Sequence, residues 1–108
     1  MVYLSRSVLP DALSHFQRAL ELDPTHSNAQ LAAARVSLAL GRPADALAYA
    51  RKLLTREPAN AEALLVAWRA SLALNAPVEA AAFLRQAAAL QPQSEEVRKA
   101  LPEAQLKP

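Results

Sequence analysis

Apolar side chains recur at three- and four-residue steps along most of the chain, with polar residues between them. Leu13, Phe16 and Leu20 form one such stripe. Leu31 and Leu38 belong to a second, flanked by the small residues Ala33, Ala34 and Ser37, and Leu65, Leu72, Ala67, Trp68 and Ser71 repeat the arrangement. This spacing predicts α-helices, because a helix brings residues three and four apart onto one face. Local punctuation divides the pattern into elements. Residues 10–22 read as one helix. Ser27 caps a second that runs to about Leu40, where Gly41 supplies the left-handed exit that helices favour. Pro43 opens a third, at a position where its missing N–H sacrifices no hydrogen bond, and that helix runs to about Arg56. A fourth follows with Asn75 in place of Gly41, and Pro77 opens a fifth that ends near Leu90. Pro24, Pro58 and Pro92 stand where helices cannot continue. Ser94 then caps Glu95 and Glu96, acids in the first turn where the helix dipole favours them, and this last helix reaches about Leu101 before Pro102 limits it.

The elements repeat. Pro24, Pro58 and Pro92 recur with a period of 34, and aligning residues 27–60 with 61–94 gives 13 identities without a gap. They include Leu31/Leu65, Arg35/Arg69, Pro43/Pro77, Ala46/Ala80 and the block from Ser37 to Leu40 against Ser71 to Leu74. Shared Ala/Leu composition alone does not supply that many matches, nor the recurrence of the prolines. The expected organisation is one helical-repeat domain over residues 1–101 and a polar tail at 102–108. The domain divides into a partial repeat (1–26), two full repeats (27–60 and 61–94) and a terminal helix (95–101). Only residues 1–7 remain for the first helix of the partial repeat, so the chain is expected to be a piece of a longer array.

Composition narrows the classes further. Ala (26) and Leu (19) supply 45 of the 108 positions, which favours helix over β-branched, aromatic-rich sheet. A single Gly leaves no Gly-rich phosphate loop, and the absence of Cys removes disulfides, Cys-type zinc sites and thiol catalysis. The formal net charge is only +2, and the basic residues are scattered, with Arg51-Lys52 the longest cluster. That is a poor footprint for nucleic acid or an acidic membrane, which call for a stripe or block. Arg35, Arg42, Arg69 and Glu79 interrupt every candidate membrane span, and no signal peptide is visible at the start. The Ala/Leu/Arg-rich composition suggests a bacterial source with a GC-rich genome.

The run Leu13, Phe16, Ala19-Leu20-Glu21-Leu22-Asp23-Pro24 resembles the second half of a tetratricopeptide repeat. The 34-residue period, the small residues Ala12, Ala46 and Ala80 at the helix crossing, Gly41 in the turn and the closing prolines are similar to that family. Tyr3 falls where its first helix often carries an aromatic. There are departures: Trp68 stands where the family has Gly or Ala, and Ala50 and Leu53 stand where it favours an aromatic and an alanine. A volume exchange would reconcile Trp68 with the fold, small residues at Ala80, Ala81, Ala87 and Ala88 making room for the indole. A fully buried ring would make Trp68→Ala cost about 3–5 kcal/mol. The resemblance implies an all-α fold, a right-handed α-solenoid of antiparallel helix pairs, in which each unit buries its apolar faces on its neighbours.

It also implies where function sits: a concave groove lined by the first helix of each unit and holding a peptide or helix from another protein. Helical spacing then names Asn28, Leu31, Arg35 and Leu38, with Glu62, Leu65, Arg69 and Leu72 as their counterparts. The stripe Ala33, Ala34, Ser37 and Ala67, Trp68, Ser71 would face the second helices. Arg35 and Arg69 have two readings: amphipathic side chains on a solvated face, or a two-rung basic ladder suited to a peptide with a carboxylate and apolar side chains. Some family members grip a C-terminal carboxylate with Lys/Asn pairs. No lysine lies on either first helix here, so that clamp does not transfer.

No catalytic constellation is visible. His15 and His26 read as isolated surface histidines without carboxylates at ligand spacing, and Ser37 and Ser71 as small packing residues. The expected protein is therefore no enzyme, without cofactor, metal, small-molecule substrate or membrane insertion. RNA binding is disfavoured because the first helices are largely Ala and Leu. An alternative is a self-associating assembly module of a bacterial envelope, secretion or pilus system. In that reading Leu13, Phe16 and Leu20 lack cover and the exposed solenoid ends pair as a homodimer.

Overall fold

The computed structural model describes residues 9–91 together with Glu95 and Lys99. Five helices have both ends within this range: α1 (Leu9–Leu22), α2 (Ser27–Ala39), α3 (Pro43–Arg56), α4 (Ala61–Ala73) and α5 (Pro77–Leu90). The repeat period is present in their bounds, since α1, α3 and α5 start at residues 9, 43 and 77 and α2 and α4 at 27 and 61. Glu95 and Lys99 are helical. The rest of the expected terminal helix, the tail and residues 1–8 lie outside the described residues.

The turns explain why the helices stop where they do. Gly41 (φ 76°) and Asn75 (φ 59°) both adopt the left-handed conformation. Beyond them the Arg42 N–H donates to the Ser37 carbonyl and the Ala76 N–H to the Ser71 carbonyl, each at 2.9 Å. Gly41 N–H to Leu38 and Asn75 N–H to Leu72 complete two Schellman closures in the same register, which satisfy carbonyls the helix end would otherwise strand. At Gly41 a Cβ would meet nothing within 4 Å, so backbone conformation and not space selects the residue there.

The helix starts differ from expectation by one position. Ser27 is already helical, and the cap of α2 is His26, whose Nδ1 accepts from the Ala29 N–H at 3.1 Å. Asn60 does the same for α4, its side-chain oxygen accepting from the Ala63 N–H at 3.0 Å. The Ser27 hydroxyl instead donates to Glu57. Glu57 also accepts from the Asn60 amide, and these bonds, Ser27 first, hold its carboxyl below the ordinary range.

Sequential helices pack as antiparallel neighbours, α1 on α2, α2 on α3, α3 on α4 and α4 on α5. The first helices α2 and α4 also pack together, whereas the second helices meet through side chains, the Gln17 amide donating to the Tyr49 hydroxyl at 3.2 Å between α1 and α3 and Arg51 pairing with Glu79 between α3 and α5. This is a helical-repeat solenoid, and no strand occurs among the described residues. Alanine makes it possible: Ala34, Ala46, Ala50, Ala67 and Ala70 are buried together with Val66 at the centre, and small side chains let helix axes approach toward the lower end of the usual range, about 8–10 Å. Ser37 and Ser71 are fully buried, and neither hydroxyl has a hydrogen-bond partner.

Two sequence expectations change. Trp68 is half-buried, not enclosed, and rests on Leu64, Leu65, Leu84 and Ala87. Ala87 stands where the preceding repeat has the buried Leu53, so the small residue does lie beside the indole. The α1 stripe is not bare either. Leu13 is only 4% exposed, and Phe16 and Leu20 pack with it against Ala33 and Val36 of α2. The uncovered stripe expected to recruit a second copy is therefore closed by the neighbouring helix.

Candidate functional site

The first helices α2 and α4 lie side by side and enclose an open concavity of about 430 Å³. Arg35, Leu38, Ala39, Glu62, Leu65, Val66 and Arg69 line it. These side chains reach one place because α2 and α4 present equivalent faces. Arg35 and Arg69 occupy the same register, as do Leu38 and Leu72, and in-phase stacking sets one repeat's side chains beside the next repeat's.

Five of the eight residues named from helical spacing meet here: Arg35, Leu38, Glu62, Leu65 and Arg69. The other three do not. Leu31 turns inward and packs, half-buried, on the core around Ala34 and Ala46. Asn28 is exposed near the start of α2, and Leu72 is 49% exposed on α4 without lining the concavity. Ala39 and Val66 line it and were missed. Each follows directly after a named residue, so the signal for them was a face wider than a single stripe.

The electrostatics differ from a bare basic ladder. Arg35 forms an ion pair and hydrogen bond with Glu62 across the two helices, both side chains more than half exposed. The Arg69 guanidinium lies 5.8 Å from the centre of the Trp68 ring, within cation–π range. The groove therefore carries an ion pair on one rung and a cation beside an aromatic on the other. Arg35, Glu62 and Arg69 stand over an apolar floor of Leu38, Leu65 and Val66.

The histidines sit elsewhere: His15 is exposed on α1 and His26 caps α2. Among the described residues, no three His, Cys, Asp or Glu side chains come together in a way that could hold a metal ion. No helix among them is long and apolar enough to cross a membrane.

No curated protein matches this chain. The family model of the tetratricopeptide repeat matches residues 9–49 and 37–104, and such repeats generally mediate protein–protein interaction and are typically non-catalytic. The two matches together span most of the sequence, and with the in-phase helix pairs and the shared turn closures they mean that the chain belongs to the tetratricopeptide repeat family.

Proposed function

We propose that the concavity between α2 and α4 binds a peptide or helix of a partner protein, by surface complementarity and without chemistry. The observation that carries this reading is the convergence of Arg35, Glu62 and Arg69 around the apolar floor of Leu38 and Leu65. An apolar floor rewards buried side chains, and the charged rim fixes their register and orientation. The guanidinium groups on the rim favour a segment carrying a carboxylate beside its apolar residues. Arg35 is bound to Glu62, so such a carboxylate competes with Glu62 for the guanidinium.

The test is a pull-down with wild type and with Arg35→Glu/Arg69→Glu. Arg35→Glu sets two acids against each other across the groove and reverses its charge. Both positions are exposed, so the fold should survive. The expected result is loss of the partner from the double variant while circular dichroism stays that of wild type. Unchanged capture by the folded variant would reject the groove as the binding surface.

A further inference from the structure

The turns that open α2 and α4 are built on the same backbone bonds and differ in the atom that caps the helix. The His26 N–H donates to the Asp23 carbonyl at 3.1 Å, and the Asn60 N–H donates to the Glu57 carbonyl at 3.0 Å. The first helical bond runs back to the same position in each, from Gln30 to His26 and from Leu64 to Asn60. The cap backbones agree as well, at φ −69°, ψ 103° and φ −79°, ψ 99°. The side chains are where they part. Nδ1 of His26 accepts from the Ala29 N–H at 3.1 Å, and Oδ1 of Asn60 accepts from the Ala63 N–H at 3.0 Å. An amide oxygen accepts at any pH. An imidazole nitrogen accepts only while it carries no proton, so the His26 bond requires the neutral ring with its hydrogen on Nε2. Histidine is also the side chain that changes charge between about pH 5 and 8.

We propose that His26 is a pH-sensitive cap, which holds the first turn of α2 when neutral and releases it when protonated, while the Asn60 cap of α4 stays closed. The imidazolium has two N–H donors and no acceptor, so the Ala29 N–H loses its partner. The new charge also stands at the positive end of the α2 dipole, which disfavours it there. Asp23 faces the ring from the turn. Its carboxyl is held below the ordinary range by the Thr25 hydroxyl and N–H, with the charges of His26 and Arg56 adding to them. A charged ring that leaves the Ala29 N–H therefore has the Asp23 carboxylate to turn to. Arg56 and Glu57 stand at the end of α3, Arg56 bonded to Gln30 and Glu57 to Ser27. Glu21 of α1 lines a cleft with Tyr49 and Lys52, to which the His26 ring does not contribute. Asp23 and Glu57 both ionise below their ordinary values of 3.8 and 4.5, so neither changes charge in the histidine window. The released turn is the one tied to α3 through Ser27–Glu57 and Gln30–Arg56, so acid loosens the first full repeat at this junction and leaves the second as it is. None of this depends on what the groove binds.

The test follows amide protection in the full chain by water-exchange NMR between about pH 8 and 5, each rate divided by its intrinsic value at that pH. The ring carbon shifts of His26 report its protonation in the same samples. The expected result is that Ala29 protection falls as His26 protonates, by about tenfold relative to Ala63. That is the fold-change of about 1.4 kcal/mol, the size of a lost cap together with an opposed dipole. His26→Asn copies the Asn60 junction and should hold Ala29 level with Ala63 across the range, whereas His15→Gln should keep the wild-type step. Should His26→Asn melt differently from wild type, the comparison of Ala29 with Ala63 in the wild-type chain decides alone, because it needs no variant. Ala29 and Ala63 changing in parallel, a step that survives in His26→Asn, or one that disappears in His15→Gln would each overturn the proposal.

Discussion

Glu57 ties the start of one repeat to the turn that opens the next. It follows α3 as its C-cap, donates its own N–H to Leu53, and accepts from the Ser27 hydroxyl of α2 and from the Asn60 amide. Asp23 holds the same register one repeat earlier and accepts from the Thr25 hydroxyl and N–H at 2.9 and 3.1 Å. In both cases the donors prefer the ionised carboxylate, so both groups ionise at lower pH than their ordinary values of 3.8 and 4.5. The linkage has a definite sign. A carboxyl whose folded pKa is depressed stabilises the fold fully above its unfolded value, and the contribution disappears as pH falls through the folded one. Glu57→Gln should therefore melt lower than wild type at neutral pH, and the gap should close as pH falls below about 4.5. Thermal melts of both proteins across that range measure it. A gap that stayed constant on acidification would show that the hydrogen bonds at Glu57 do not depend on its charge.

At the scale of the element, the helices were legible because their punctuation is chemical. Pro43 and Pro77 fix two starts, and Gly41 and Asn75 fix two ends by tolerating a left-handed backbone. The cap of α2 was less legible, since Ser27 is the better cap by type and only the fold shows that its hydroxyl is held by Glu57. The groove was legible in part. Recurrence at the repeat period marks Arg35, Leu38, Leu65 and Arg69, but the Arg35–Glu62 pair joins different registers of the two repeats and depends on how α2 lies against α4, which no periodicity within one helix encodes. Leu31 was misplaced for a related reason. It packs on the alanine core, and a stripe drawn at ideal spacing does not tell a groove position from an inward one. Trp68 belongs here too, because its environment is made by the α4–α5 pair. Half-buried against Leu84 and Ala87, the ring should contribute less than an enclosed one, so Trp68→Ala should cost about 1–3 kcal/mol. Urea unfolding gives the number, and a change within about 0.3 kcal/mol would mean that the indole adds nothing to the packing of the pair.

The whole molecule is a short stack, 44 × 28 × 28 Å, whose contacts run between neighbours and not around one closed centre. Stability in such a stack is approximately a sum over units and the interfaces between them, and an element opens more readily the fewer interfaces hold it. The five helices differ in that respect. Among the described residues α4 packs on α3, α5 and α2, and α2 packs on α1, α3 and α4, while α1 has substantial contact with α2 alone. The buried side chains follow the same order: seven residues of α4 and six of α2 are buried, but only Leu9 and Leu13 of α1. Opening should therefore begin at α1 and leave the α2–α4 contact until last. Amide hydrogen exchange under native conditions should then be fastest in α1 and slowest in α2 and α4, with protection in α4 approaching that of global unfolding. The same gradient bears on the proposed binding, because the candidate groove stands on α2 and α4, the elements expected to open last, and a rigid platform costs a ligand little ordering free energy. Uniform protection across α1, α2 and α4 would show that the repeats unfold as one block, and the neighbour-by-neighbour account of this chain would fail.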